Sequence, residues 1–155
     1  MAGFESFLKT VLTLAREEAL RDGSATAEAH HLLLAVAGHP GAPAASVLAS
    51  AGLDRAAIRQ ALDREFAQSL GAVGVSPSAF SLPPATPDPQ RRPHLGASIP
   101  LTLERATKAA AGTRPQPAHL LVGILQADVG TVPRALALAG VDRAGLLARA
   151  RQAAT

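Results

Sequence analysis

Between Phe4 and Leu20 the apolar residues Phe4, Phe7, Leu8, Val11, Leu12, Ala15, Ala19 and Leu20 recur three and four positions apart, and Lys9, Thr13, Arg16 and Glu17 fall on the other side. That spacing predicts an amphipathic helix closed by Asp22-Gly23. A second helix, over about 27–37, holds Leu32-Leu33-Leu34-Ala35-Val36 and is apolar nearly all round, the pattern of a buried core helix. After the breaker His39-Pro40-Gly41-Ala42-Pro43, a short helix at about 44–51 ends at Gly52, the expected left-handed residue past a helix end. Asp54 is placed to cap a fourth helix at roughly 55–69. Residues 71–98 contain Pro77, Pro83, Pro84, Pro87, Pro89 and Pro93 and read as a linker. The helical pattern then resumes over about 102–111, 117–127, 132–139 and 143–153, with Thr102 and Thr131 as candidate caps and Pro133 in a first turn.

The second half repeats the first. Shifting the chain by 88 residues matches 31–62 to 119–150 without a gap, with ten of 32 positions identical. They include His31/His119, Leu32/Leu120, Leu33/Leu121, Gly52/Gly140, Asp54/Asp142 and Arg55/Arg143. Turn glycines and capping aspartates in register are not expected from Ala-rich composition, so this is an internal repeat. The reading is an all-α chain of about eight helices: one domain over 1–155, with repeat 1 over 1–70, the linker over 71–98 and repeat 2 over 99–155, the repeats related by a pseudo-two-fold axis.

Composition agrees with helices: the 155 residues include no Cys, Trp or Tyr and four Phe. The absence of Cys excludes disulfides, thiolate nucleophiles and Cys-based metal sites. With so few aromatics and no Lys/Arg stripe, nucleic acid is not an expected partner. Net charge is +3 but uneven: −2 over 1–70, +1 over 71–98 and +4 over 99–155. No apolar run approaches the 18 or so residues that span a bilayer, and the N-terminus lacks a signal-peptide pattern, so a cytoplasmic protein away from membranes is expected.

The repeated H-L-L-[LV]-x-[VI]-[AL] core followed by A-G-[LV]-D-R-A resembles the N-terminal repeat domain of Clp ATPases of the ClpA/ClpC type. The opening F-x-x-F-L-K-x-V-L-x-L-A-R-E-E-A at Phe4–Ala19 is similar to that domain's first helix, and Ile99-Pro100-Leu101-Thr102 to the start of its second repeat. The resemblance implies a docking module for adaptors, substrate peptides and Clp ATPase or protease components. It also implies a surface near the first helix and the start of the second repeat, to which Phe4, Phe7, Lys9, Leu101, Glu104, Arg105 and Lys108 correspond. The alternative it implies is a decoy that sequesters a cyclic-peptide antibiotic aimed at a Clp N domain. No G-x-x-x-x-G-K-[ST] occurs, so no ATPase activity is expected. The family's G-T-E-H-[LI]-L-L reads Ala29-His30-His31 and Pro117-Ala118-His119 here, so its acidic partners for phosphorylated arginine are missing.

Nothing in the residues nominates catalysis, a cofactor or a metal. Adjacent His30 and His31 should point about 100° apart on a helix, with no nearby carboxylate to complete a zinc set. His31 and His119 read as structural, bonding a helix end or loop carbonyl. Glu17-Glu18 reads as a solvated face. Arg91-Arg92 reads as solubilising charge, and no Ser/His/Asp arrangement is visible.

Overall fold

The computed structural model describes residues 3–76, 88 and 90–155. Among them are eight helices: α1 (Gly3–Arg21), α2 (Ala29–Ala37), α3 (Pro43–Ser50), α4 (Arg55–Ala72), α5 (Ser98–Ala110), α6 (Pro117–Leu125), α7 (Thr131–Leu138) and α8 (Arg143–Ala153). Pro77, Pro83, Pro84, Pro87 and Pro89 of the expected linker lie outside the described residues.

The two all-round apolar segments occupy the centre. Leu32 to Val36 of α2 and Ala118 to Leu125 of α6 are buried without a break, because helices with no polar face must be covered on every side. α1 packs on α2 and α5 on α6, and α2 and α6 touch each other. The remaining helices cross over: α3 packs on α8 and α4 on α7. Each repeat thus lends its third helix to the other's fourth, the exchange that a two-fold relation requires.

The repeated signals act alike in both halves. Asp54 accepts the Ala57 amide at 2.7 Å and Asp142 the Gly145 amide at 3.0 Å, so each caps its helix. Gly52 and Gly140 follow their short helices with φ of 73° and 70°, where a side chain would be strained. α5, at 13 residues, is shorter than the 19-residue α1.

The structure departs from the sequence reading at three places. α5 begins at Ser98 rather than near Thr102, since Pro100 in a first turn forfeits no bond. Thr102 is therefore inside the helix, buried, with its hydroxyl donating to the Ser98 carbonyl at 2.8 Å, and caps nothing. Thr131 is the first residue of α7 behind Gly130, with no side-chain cap.

The third departure joins the halves. Two residues of the expected linker, His94-Leu95 (β2), pair in parallel with Thr26-Ala27 (β1). Beside them the Ala29 amide donates to Ser98 Oγ at 2.8 Å, and the Ser98 amide donates to the Glu28 carboxylate at 3.2 Å. Thr26 Oγ1 donates to the same carboxylate at 3.0 Å, so the N-termini of α2 and α5 share one anion. No described helix is long and apolar enough to cross a membrane.

Candidate functional site

The sequence-selected surface residues fall on two helices that flank the central pair. Phe4 is half-buried at the start of α1, Lys9 is exposed, and Phe7 is buried with its ring 5.6 Å from that of His39. On α5, Leu101 is 50% exposed, Arg105 is half-buried, and Glu104 pairs with Lys108 at 2.8 Å. That pair is fully hydrated and worth little to stability. Among the described residues no hydrogen bond, ion pair or ring contact joins the α1 group to the α5 group. What the two share is position: each lies on the first helix of its repeat, Phe4 and Leu101 in or next to the first turn and Lys108 in the last.

The densest chemistry lies elsewhere, in a cavity of about 610 Å³ at the C-terminal end of α1. Glu18, expected on a solvated face, is buried behind the cavity's arginines, with Arg55 bidentate at 2.6 and 2.8 Å, Arg59 at 3.1 Å and Arg21 at 3.1 Å. Glu17 stays exposed, so the adjacent pair diverges and its second member turns inward. Burial alone would raise the Glu18 pKa, but Arg55, with Arg21 and Arg59, outweighs it and holds the carboxyl below its usual range. Glu65, also buried, is met by Arg134 of α7 at 3.0 Å, a bond between the repeats. The sequence hint to the Glu18 cluster was Arg55/Arg143, a charge kept in both repeats. Arg143 likewise binds a helix end, donating to the carbonyls of Leu125 (3.2 Å) and Ala127.

His30 and His31 do not diverge. Their ring centroids are 4.0 Å apart, and Asp22, from the loop after α1, comes within 4.8 Å of both through its nearest ligand atom. A carboxylate and two imidazoles at that separation have the composition of a metal site. Proton accounting argues against it. His31 Nδ1 accepts the Glu28 amide at 2.9 Å, so the neutral ring carries its proton on Nε2 and donates it to Asp22 at 2.8 Å. A metal on Nε2 would require an imidazolate, beside the Arg59 guanidinium 3.9 Å from the same Asp22 oxygen. The same count leaves His31 no lone pair to act as a general base. His31 therefore holds the start of α2 to the end of α1. Its partner at the start of α2 is the N-cap amide of Glu28, a helix end. His119 repeats the bond, accepting the Gln116 amide at 2.9 Å.

Burial, with His31 and Arg59 nearby, pushes the His30 pKa down to about 4 despite Asp22 and Glu28, which act to raise it. Above pH 6.5 the ring is neutral folded or unfolded; as pH falls from 6.5 to 4 the unfolded chain takes the proton first, so stability drops over that window. The expected loss between pH 7 and 5 is about 2 kcal/mol, read from urea unfolding, and His30→Gln should remove most of it. Parallel curves for the two proteins would refute this role. Below about pH 4.5 the lowered carboxyls of Glu18, Asp22, Glu28 and Glu65 add a second decline, because stability held by a depressed acid is lost as it protonates.

Comparison with known proteins places this architecture. The family model for the Clp repeat (R) N-terminal domain matches residues 4–112. A solved structure described as "Preliminary structural investigations of a malarial protein secretion system" superposes with a TM-score of 0.59 at 16% identity, covering 92% of this chain and 88% of that one. At that identity it shows the fold alone. A search of the curated proteins gave no match.

Proposed function

Because the chain belongs to the Clp repeat (R) N-terminal domain family, whose members are in general protein-interaction modules, we propose that it is a non-catalytic peptide- and adaptor-binding protein that modulates Clp-dependent proteolysis. The observation that carries this reading is Leu101, a large apolar side chain left 50% exposed on α5 beside the Glu104–Lys108 pair. Exposed apolar groups rimmed by charge are what an extended or helical peptide covers on docking. Phe4, half-buried at the matching end of α1, offers the second apolar contact. The Glu18 and His31 clusters support the same reading from the other side, since the Glu18 carboxylate and both His31 ring nitrogens are engaged in holding helices.

The test is a Phe4→Ala/Leu101→Ala double variant in binding assays against Clp ATPase N-domain partners and adaptor peptides. Truncating both apolar contacts should weaken binding at least tenfold with helicity by circular dichroism unchanged. Unaltered affinity would remove this face from consideration. Binding of a cyclic peptide with no binding of any Clp component would favour the decoy reading instead.

A further inference from the structure

The cavity at the end of α1 carries side chains that the duplicated fold does not call for. The 88-residue shift sets Arg21 against Ala109, His30 against Ala118, Arg59 against Leu147 and Phe66 against Ala154. Where repeat 1 has two guanidiniums, an imidazole and a phenyl ring, repeat 2 has three alanines and a leucine and forms the same four helices. All four repeat 1 side chains line the cavity of about 610 Å³. Arg55 differs from them, since its counterpart Arg143 keeps a charge at the same helix start.

The lining divides into a basic part and an aromatic part. Arg21, Arg55 and Arg59 face two carboxylates, those of Glu18 and Asp22, so one positive charge is left over. Asp22 is further engaged by His31 and Ser24. Arg21 uses only Nη1 on Glu18, and its side chain is 58% exposed, which leaves the rest of its fork open to a ligand. Glu65 is closed off by Arg134 and Ser69. Asp63 is exposed and has no ion pair among the described residues, and water screens its charge. Thr131, the first residue of a helix with no side-chain cap, adds the positive end of α7. Along α4 the lining residues Arg55, Arg59, Leu62 and Phe66 follow at spacings of four, three and four, one stripe of the helix. Arg59 and Phe66 are thus about 10 Å apart along the axis. Phe66 is 61% exposed, a ring whose faces the fold leaves largely uncovered.

We infer that this cavity binds an aromatic anion, a carboxylate or phosphate carried on a single ring, with its charge at Arg21 and Arg59 and its ring on Phe66 and Leu62. Guanidinium forks hold such headgroups through paired N–H bonds, and offset stacking holds the body. The volume lies in the range of small-ligand sites. The site is at the opposite end of α1 from Phe4 and does not depend on the peptide-docking reading.

The experiment is a calorimetric titration of the full chain with phenyl phosphate, benzoate, inorganic phosphate and benzylamine, with imidazole ¹H–¹⁵N spectra to place the response. An aryl anion should bind saturably and move the ring resonances of His30, while those of His119 in repeat 2 stay still. Inorganic phosphate, which has no ring to stack, should bind about tenfold more weakly. Phe66→Ala should weaken the aryl anion about tenfold and leave inorganic phosphate unchanged. Arg21→Gln should also cost about tenfold, the worth of one charge-assisted bond. Asp63→Asn should instead strengthen binding about twofold by removing a like charge, which a merely structural role would not produce. Phe66, Arg21 and Asp63 are all exposed, so these exchanges leave the fold intact. No saturable binding of either aryl anion, equal binding of inorganic phosphate, tighter binding of benzylamine or an unmoved His30 would overturn the assignment.

Discussion

Exchanging Arg55 for Met should lower the unfolding free energy by about 2–3 kcal/mol at neutral pH, whereas Glu18→Met should cost only about 1, and the double exchange less than Arg55→Met alone. The asymmetry follows from burial. The Glu18 side chain is 5% exposed and Arg55 42%, so removing the guanidinium strands a charge that water cannot reach, while removing the carboxylate frees cations that water can. Arg59 and Arg21 remain at the carboxylate, which keeps the loss below the 3–5 kcal/mol typical of a fully buried pair. Acid should narrow the gap between wild type and Arg55→Met, because the wild-type Glu18, held low by Arg55, loses its contribution as pH falls below the ordinary value of 4.5. Urea unfolding of the four proteins at two pH values measures all of this. Strict additivity of the two exchanges would mean the bond contributes nothing.

Gly123→Ala should destabilise by about 2 kcal/mol, against the roughly 1 kcal/mol that Ala gains over Gly in a helix interior. A Cβ at Gly123 would lie 2.4 Å from the Thr102 carbonyl and 3.0 Å from the Ala106 amide. Both are backbone atoms of α5, so relief requires the helix to move. The matched residue of repeat 1 is Ala35, buried in α2, so α5 and α6 lie closer than a methyl group permits. Thermal unfolding by circular dichroism decides the matter, and a neutral or stabilised variant would show that α5 shifts freely.

What the sequence disclosed was whatever periodicity and register encode. The apolar runs Leu32–Val36 and Leu120–Leu125 announced the central helices, and the Asp54/Asp142 caps and Gly52/Gly140 turns act as read. What stayed hidden depends on neighbours brought from afar. Glu18 looks like Glu17 until Arg55, 37 residues on, is folded against it. Asp22 is a helix stop in sequence and becomes the partner of His31 only when α2 doubles back. β1 and β2 are two residues each, too short to carry any alternation. The candidate surface was reached through family resemblance, because single exposed residues such as Lys9 and Leu101 leave no periodic trace.

The link between Thr26-Ala27 and His94-Leu95 bears on how the chain comes together in time. Its bonds span 69 and 70 residues at Ala29–Ser98 and Ser98–Glu28, among the longest sequence separations of the side-chain bonds of the described residues. Most helical bundles fold fast because their contacts are local, and here the α3–α8 and α4–α7 exchanges add further distant pairings to that link. Closing so long a loop costs entropy that grows only slowly with its length, so the separation is cheap to carry but must be closed before α2 and α5 are fully capped. Unlike a solenoid, whose units nucleate and spread independently, this duplicated chain makes each half the template on which the other completes.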